Sequence, residues 1–340
     1  MYARWGRVFS YGLIVACGLL VAAATDTSSQ PAAPVRVGVI GLDTSHSPAF
    51  TKVFNDPQAA PDVAGFRVTV AYPFGSRTIE SSYSRIPKFS DEVRQLGVET
   101  VDSIAEVLRR VDVVLLMTND GRLHLDQARQ ILQAGKPIFI DKPLAGSLAD
   151  AVAIFEAAER AHVPVFSSSS LRYAAGAQAA RGGSFGRVVG ADAYSPATLE
   201  ATHPDLFWYG IHGVELLFTA LGTGCEEVVR VHADGTDVVV GRWSDGRIGT
   251  FRGIRDGRGD YGGTAFAAEG IGPLGPFDGY RPLVVAIAQF FRTGVAPVAA
   301  DETLEIYAFM EAAHESTRRG GVPVRVADVL AKARAEAVTR

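Results

Sequence analysis

Residues Val35 to His46 read Val-Arg-Val-Gly-Val-Ile-Gly-Leu-Asp-Thr-Ser-His and decide the fold of this chain. The stretch begins as an apolar, β-branched run of the length of a strand. A turn that contains Gly41 ends the run, and a helical pattern begins at about Ser47–Phe54. A strand, a tight turn and a helix form the opening of a dinucleotide-binding unit, in which the helix N-terminus can hold a pyrophosphate.

The turn departs from the G-x-G-x-x-G pattern at two positions. Counted from Gly41, the second glycine is replaced by Asp43 and the third by His46. The second glycine lets the backbone approach the phosphates, and a carboxylate there adds bulk and negative charge. The sequence therefore favours the topology of such a unit and indicates an altered phosphate turn.

Apolar runs alternate with helical patterns as far as about Val165. The predicted strands are 66–72, 111–117, 137–140 and 163–166, and the predicted helices between them are 91–96, 103–109, 123–134 and 147–161. Strands separated by helices indicate a parallel, doubly wound sheet with right-handed crossovers. Ligands of such sheets bind at the carboxyl ends of the strands. We therefore expect the functional residues at these exits, near 43, 72, 118, 141–142 and 167–170.

After Arg172 the pattern changes to polar–apolar alternation with Gly and Asp turns. The predicted strands are 188–194, 227–232, 237–243, 248–253 and 264–269, and the predicted helices are 205–221, 282–291 and 301–317. Asp-Gly pairs at 234–235 and 245–246 are hairpin signals. The second half is therefore predicted as a mostly antiparallel sheet covered by helices on one face, with Asp301 as the N-cap of the last helix.

Length and composition limit the classes of protein to consider. The chain has 340 residues, 47% of them hydrophobic and 21% charged, which fits a globular protein of two domains. A formal net charge of −4 and the absence of any basic block argue against nucleic-acid binding.

The first 30 residues are predicted to lie outside the fold as a signal peptide and linker. Arg4 and Arg7 precede an apolar run from Tyr11 to Ala24, and small residues then precede a polar linker. We expect export, with the body on the outer side of the membrane. The alternative is an uncleaved anchor, and only then would the protein be held at a membrane. Without the leader only Cys225 remains, so an intrachain disulfide or cysteine-rich metal site is excluded.

Two stretches carry candidate chemistry. Asp141-Lys142-Pro143 follows a predicted buried strand, where a lysine can reach a substrate hydroxyl; the alternative is a surface lysine. His212 and Glu215 lie three residues apart on a predicted helix and share a face, so Glu215 is expected to orient the imidazole. A histidine suits acid–base chemistry on an alcohol or ketone, and the alternative is a histidine of the core.

These motifs together resemble the Gfo/Idh/MocA family, named after glucose–fructose oxidoreductase, inositol dehydrogenase and rhizopine catabolism. The resemblance covers about Val35 to Val326. The matching residues are 37–41, His124, the run Ala134-Gly135-Lys136-Pro137-Ile138-Phe139-Ile140-Asp141-Lys142-Pro143-Leu144-Ala145, Leu171-Arg172-Tyr173, His212, and Ala312, Glu315 and Ser316 of the closing helix.

The resemblance implies an α/β protein with a Rossmann domain at 34–170 and a C-terminal α+β domain with an open-faced antiparallel sheet at 171–330. Members bind NAD or NADP and oxidise or reduce a ring carbon of a sugar or cyclitol, with the site between the domains. Lys142 matches the lysine that hydrogen-bonds the reacting oxygen, and His212 matches the usual proton-transfer histidine. It also implies a homo-oligomer.

The position of residues at the strand exits and the family resemblance together predict the site. The catalytic residues are Lys142, His212 and Glu215. The cofactor contacts are Gly38, Gly41, Leu42, Asp43, Thr44, Ser76, Arg77, Thr118, Asn119, His124, Asp141 and Lys142. The substrate contacts are Arg172, Tyr173, Trp208, Tyr209 and His212. No metal is predicted, because the spacing of Asp43, His46 and His124 is not that of a metal site.

Several positions depart from the family pattern. Asp141 replaces the usual Glu, Trp208 replaces an Asp, and Tyr72-Pro73-Phe74 stands where an acid would hold the adenosine ribose. Ser76 and Arg77 beyond it slightly favour NADP. These departures leave an alternative: an exported relative with lost or altered dinucleotide binding, acting as a carbohydrate-binding protein or as a non-redox enzyme that uses Asp43, His46, Lys142 and His212.

Overall fold

The computed structural model describes residues 33–340, together with 1–2 and 6. The predicted leader therefore lies almost entirely outside the described residues. Residues 34–340 form one compact unit. None of the described helices combines the length and apolar character that crossing a membrane requires.

The first sheet has six parallel strands in the order β3-β2-β1-β4-β5-β6. The strands are β1 Val35–Ile40, β2 Phe66–Tyr72, β3 Glu99–Thr100, β4 Val113–Leu116, β5 Ile138–Ile140 and β6 Val165–Ser167. The helices of this part are α1 His46–Phe54, α2 Glu80–Tyr83, α3 Ile86–Gln95, α4 Ile104–Arg110, α5 His124–Gln133 and α6 Leu148–Ala161. This order is that of a Rossmann sheet, which confirms the predicted doubly wound topology.

The strand order reverses between β1 and β4, which pair side by side. Gly41 ends β1 with φ +99°, and a Cβ there would overlap the backbone of Thr118 just after β4. Only glycine allows both the positive φ and this close approach. The exits of β1 and β4 therefore meet at one point, which is the crevice where such sheets bind ligands.

The second sheet has seven strands in the order β12-β11-β7-β10-β9-β8-β13. The strands are β7 Val188–Pro196, β8 Cys225–Ala233, β9 Thr236–Trp243, β10 Ile248–Ile254, β11 Gly262–Ala267, β12 Ile271–Pro273 and β13 Val324–Arg325. All neighbours are antiparallel except β7 and β10. The predicted, mostly antiparallel second sheet is therefore confirmed.

Helices cover one face of the second sheet. The helices of the second half of the chain are α7 Ala175–Arg181, α8 Ile211–Leu221, α9 Arg281–Thr293, α10 Ala300–Arg318 and α11 Val326–Ala337. α8 and α10 lie on the sheet, whereas α9 returns to the first sheet and buries Leu283, Ile287 and Phe290 in its core. The N-cap of α10 is Ala299, so the expectation that Asp301 caps this helix was wrong.

Candidate functional site

A cavity with about 650 Å³ of empty space, part of it open to solvent, lies at the carboxyl ends of the first sheet. Its polar lining comes from the exits of β1, β4, β5 and β6, from α8, and from Ser81 on α2 and Arg85 just before α3. Its aromatic lining comes from the second half of the chain. The lining residues are Thr44, Ser45, His46, Ser81, Arg85, Asn119, Lys142, Ser170, Leu171, Trp208, Tyr209, His212, Tyr261, Phe277 and Tyr280.

Lys142 and His212 face this common cavity. Lys142 follows β5 and is 7% exposed, and its Nζ lies 5.3 Å from the centroid of the Tyr209 ring. His212 lies in the first turn of α8, directly after a π-helical turn at Leu206–Gly210. Burial, followed by the charges of Lys142 and His46, lowers the pKa of His212 well below its ordinary value. His212 is therefore a neutral imidazole at neutral pH, able to accept a proton.

Ser169, not Glu215, orients His212. The Nδ1 atom of His212 lies 2.7 Å from the Ser169 Oγ atom, just beyond β6. The Glu215 carboxylate instead accepts hydrogen bonds from the Ser168 hydroxyl at 2.6 Å and the Ser169 N–H at 2.7 Å. The expected contact between Glu215 and the imidazole was wrong, since these donors and an arginine occupy the carboxylate.

That arginine is Arg172, predicted as a substrate contact. Its Nε lies 2.7 Å from the Glu215 Oε1, and its Nη1 lies 2.7 Å from the Glu302 Oε1. Arg172 is 3% exposed, and Tyr173 has a buried hydroxyl, so neither residue lines the cavity. The structure corrects both assignments: Arg172 is an internal ion-pair partner, and the neighbouring Ser170 and Leu171 line the cavity instead. The predicted substrate contacts Trp208, Tyr209 and His212 do line it.

The predicted cofactor residues separate into two groups. Thr44, Asn119 and Lys142 line the cavity. The others do not: Gly38 packs against Val107, Gly41 forms the turn, Leu42 lies in the core, and Arg77 is exposed. His124 is fully buried and contacts the carbonyl oxygens of Thr118 at 2.6 Å and Leu144 at 3.0 Å, so it joins two strand exits and cannot reach a cofactor.

Ser76 is also unavailable to a ligand. Its hydroxyl donates to the Asp120 Oδ2 atom at 2.7 Å, and both residues are buried. The predicted contact between Ser76 and a 2′-phosphate is therefore wrong, and of the two residues that favoured NADP in the sequence only Arg77 is exposed.

Asp43 occupies the second glycine position but does not line the cavity. Its side chain is fully buried and accepts hydrogen bonds from the Ser82 hydroxyl at 2.5 Å and the Asn119 N–H at 3.0 Å. Gly75 leaves room for it, since a Cβ there would meet the Asp43 Oδ2 at 2.7 Å. The loop after β2 is thus folded onto the turn after β1, and Phe74 O accepts the Leu42 N–H at 3.0 Å.

This arrangement bears on how a dinucleotide would fit. Thr44 and Ser45 line the cavity beside the N-terminus of α1, and their N–H groups have no acceptor within the described residues. Such free N–H groups suit a phosphate. Lys142 and His212 line the same cavity, so these residues together would fit the nicotinamide and phosphate part of such a cofactor. The loop after β2, on which the adenosine ribose would bind in this fold, is held against the turn after β1.

The exit of β5 also brings Asp141 to His46. The Asp141 Oδ2 atom lies 2.7 Å from the His46 Nδ1 atom. Burial opposes ionisation of Asp141, but His46 and then Lys142 outweigh it, so its pKa is lowered. Asp141 is 1% exposed, which places it behind the cavity wall. In the sequence His46 stands out only as a replacement of a glycine in the turn. No sequence pattern indicates that Tyr261, Phe277 and Tyr280 line the cavity.

Burial makes Asp43 a source of pH-dependent stability. Burial, partly offset by hydrogen bonds, raises its pKa to about 6. Compared with about 3.9 in an unfolded chain, this corresponds to about 3 kcal/mol in the free energy of unfolding. The raised pKa stabilises the fold below about pH 4, and this contribution is lost as the pH rises through about 6.

We therefore predict that Asp43→Asn weakens the pH dependence of stability. Between pH 4 and pH 7 the wild type should lose on the order of 2 kcal/mol more than the variant. Urea unfolding of both proteins across this range measures the difference. Asp112→Asn is the control, because this carboxylate pairs with Arg36 at the surface and its pKa is lowered, so its effect has the opposite sign. Equal pH profiles for the wild type and Asp43→Asn would contradict the assignment.

Comparison with known proteins identifies the family that the first part of the chain resembles. Residues 35–169 match the family GFO_IDH_MocA, described as an oxidoreductase family with an NAD-binding Rossmann fold. No curated protein matches the sequence.

Solved structures with this fold include several oxidoreductases. A protein from Desulfitobacterium hafniense, provisionally assigned as an NADPH-dependent oxidoreductase, has 17% identity and a TM-score of 0.71, and the match covers 88% of this chain and 99% of that one. Scyllo-inositol dehydrogenase from Lactobacillus casei, with bound NAD(H) and scyllo-inositol, has 15% identity and a TM-score of 0.67 over 86% and 99% of the two chains. Myo-inositol 2-dehydrogenase from Lactobacillus plantarum has 16% identity and a TM-score of 0.68 over 86% and 99%.

These similarities show the fold over most of the chain. Residues 35–169 match the Gfo/Idh/MocA oxidoreductase family of NAD-binding Rossmann-fold proteins, so this part of the chain is identified as a Rossmann domain of that family.

Proposed function

We propose that this protein is an NAD(P)-dependent oxidoreductase that acts on a hydroxyl or ketone of a sugar or cyclitol. The observation that carries the proposal is the placement of Lys142 and His212 on one cavity with the free N–H groups of Thr44 and Ser45. The match of residues 35–169 to a family with an NAD-binding Rossmann fold supports the cofactor class. The inositol dehydrogenases with this fold support the substrate class by analogy alone.

The chain's own residues supply binding and proton transfer. The Lys142 ammonium donates a hydrogen bond to the oxygen on the reacting carbon and stabilises negative charge there. His212 takes the proton of the hydroxyl as the carbonyl forms, while the Ser169 hydroxyl contacts its other nitrogen. When bound, a nicotinamide accepts the hydride from that carbon. Trp208, Tyr209 and Tyr261 provide aromatic faces for the ring of the substrate.

We predict that Lys142→Met and His212→Asn each lower turnover by at least about 100-fold, because each removes a group that acts on the reacting oxygen. Turnover is measured as nicotinamide reduction with myo-inositol, scyllo-inositol and glucose. Lys136→Met is the matched control for the lysine, since Lys136 lies before β5, at the opposite end of that strand. Full turnover in either site variant would refute the proposed roles.

A second candidate function is a non-redox enzyme or carbohydrate-binding protein of the same fold. The buried contact of Asp43 with Ser82, which holds the loop after β2 over the turn, favours this candidate because it narrows the adenosine end. The two candidates require different ligands in one cavity.

Thermal unfolding in the presence of NAD(H), NADP(H) and myo-inositol separates them. A ligand that binds only the native state increases the free energy of unfolding, by about 2.7 kcal/mol at a ligand concentration of 100 times its Kd, and so raises the unfolding temperature. The first candidate predicts a shift with at least one dinucleotide. A shift with the cyclitol alone would overturn it and support the second candidate.

We further propose that the protein is exported and forms a homo-oligomer through the second sheet. Apolar residues are exposed on all the long strands of that sheet, among them Val231 on β8, Val240 on β9 and Ile248 on β10. Such a patch is typical of an interface. We predict that light scattering gives a mass above that of one chain, and that the double variant Val240→Lys with Ile248→Lys has a lower mass. A monomeric wild type would contradict assembly.

Export is tested separately by locating the full-length chain in expressing bacteria. Retention of this chain in the cytoplasm would contradict export.

A further inference from the structure

His46 has the geometry of a held acid–base residue. Its Nδ1 atom contacts the Asp141 Oδ2 atom at 2.7 Å. An ionised carboxylate only accepts hydrogen bonds, so in the neutral form of this imidazole Nδ1 carries the proton and Nε2 the lone pair. Within the described residues Nε2 has no hydrogen-bond partner, and His46 lines the cavity.

Packing fixes the plane of the ring. The imidazole stacks on Phe50 at a centroid distance of 5.5 Å and an interplanar angle of 5°. The Tyr280 ring contacts it edge-on at 4.7 Å. The Asp141 carboxylate holds Nδ1, and the two aromatic rings hold the imidazole ring in place. The Nε2 atom therefore points in one fixed direction, as a proton-transfer residue requires.

The contrast with His212 is chemical. Ser169 holds His212 by a hydroxyl, which can donate or accept, so either tautomer of His212 is compatible with that contact. The carboxylate of Asp141 allows only one tautomer of neutral His46. Asp141 and Lys142 are adjacent in sequence, so the exit of β5 supplies both the group that fixes His46 and the ammonium that faces the same cavity.

We propose that His46, positioned by Asp141, is a second proton-transfer residue of this cavity and catalyses proton exchange at the carbon beside the carbonyl of a hydroxy-ketone, without net oxidation. The inference takes its substrate class, the keto form of a polyhydroxylated ring, from the proposed function.

The step balances without a cofactor. His46 Nε2 removes the proton from the carbon, and the C–H electron pair becomes the C=C bond of an enediolate. The C=O π pair moves to the oxygen, where the Lys142 ammonium stabilises the charge. Return of a proton from His46 to the carbon restores the ketone. Nothing is oxidised or reduced, and in heavy water the carbon gains deuterium.

The test follows deuterium incorporation by proton NMR in heavy water, without any nicotinamide. The probes are 2-keto-myo-inositol and fructose. We expect the wild type to exchange the proton of at least one probe at least 100-fold faster than buffer, and His46→Gln to lose this acceleration. His232→Gln is the matched control: His232 also contacts a carboxylate, that of Asp237 at 2.6 Å, but on the second sheet outside the cavity. This control should exchange like the wild type.

Asp141→Asn keeps an acceptor at His46 and is the second variant, in case His46→Gln does not fold. We expect it to slow exchange at least tenfold and to change the pH dependence of exchange, which a purely structural residue would not do. Exchange by the wild type no faster than buffer with both probes, or at the wild-type rate in His46→Gln or Asp141→Asn, would overturn the inference.

Oxidation of myo-inositol with NAD and NADP, assayed on the same wild-type preparation, separates this inference from the proposed function. Oxidation without exchange removes only the role of His46. Exchange without oxidation supports the role of His46 and removes the redox assignment.

Discussion

The buried carboxylate of Glu215 is the interaction on which the arrangement of the site depends. It lies on α8 and receives the Ser168 hydroxyl, the Ser169 N–H and the Arg172 guanidinium. A buried charge is tolerated only when it is paired and hydrogen-bonded, so these donors must stay in place. They belong to the segment directly after β6. The helix that carries His212 is therefore fixed to an exit of the first sheet, and Ser169 is brought to the imidazole.

The same constraint operates at the other strand exits. Asp43 after β1 and Asp141 after β5 are both buried, and each accepts a hydrogen bond from a different segment of the chain. Tyr307 on α10 likewise accepts the Leu144 N–H at 2.5 Å, beside Lys142. The lining of the cavity is thus held from behind by paired polar groups. Side chains held in this way lose little freedom when a ligand binds.

Much of the fold could be predicted from the sequence. Hydrophobic periodicity located β2 at Phe66–Tyr72, and it located the long strands of the second sheet to within a few residues. The sequence did not predict the strands β3, β12 and β13, because two or three residues are too few to show an alternating pattern. The rule that ligands bind at strand exits gave Thr44, Asn119 and Lys142, whose place depends on topology alone.

The rest of the site depends on contacts between distant segments. Spacing on a helix placed Glu215 beside His212, but the stronger, charge-assisted partners of Glu215 come from another element. Tyr280 contacts His46 from the start of α9, far along the chain, and no local pattern encodes that pairing. The sequence misplaces Ser76, because its hydrogen-bond partner Asp120 lies beyond β4 and no local pattern connects the two residues.

The return of α9 to the first sheet limits how ligands can enter. This helix follows the whole second sheet in sequence, yet Leu283, Ile287 and Phe290 pack among the side chains of the first sheet. Arg281 and Arg292 add hydrogen bonds to Asp62 on that side. Because α9 stays packed on the first sheet, the chain crosses between the two halves on both sides of this helix, and these crossings restrain a hinge motion between the halves. Ser81 and Arg85 are exposed at the rim of the cavity, where a ligand can enter without such a motion.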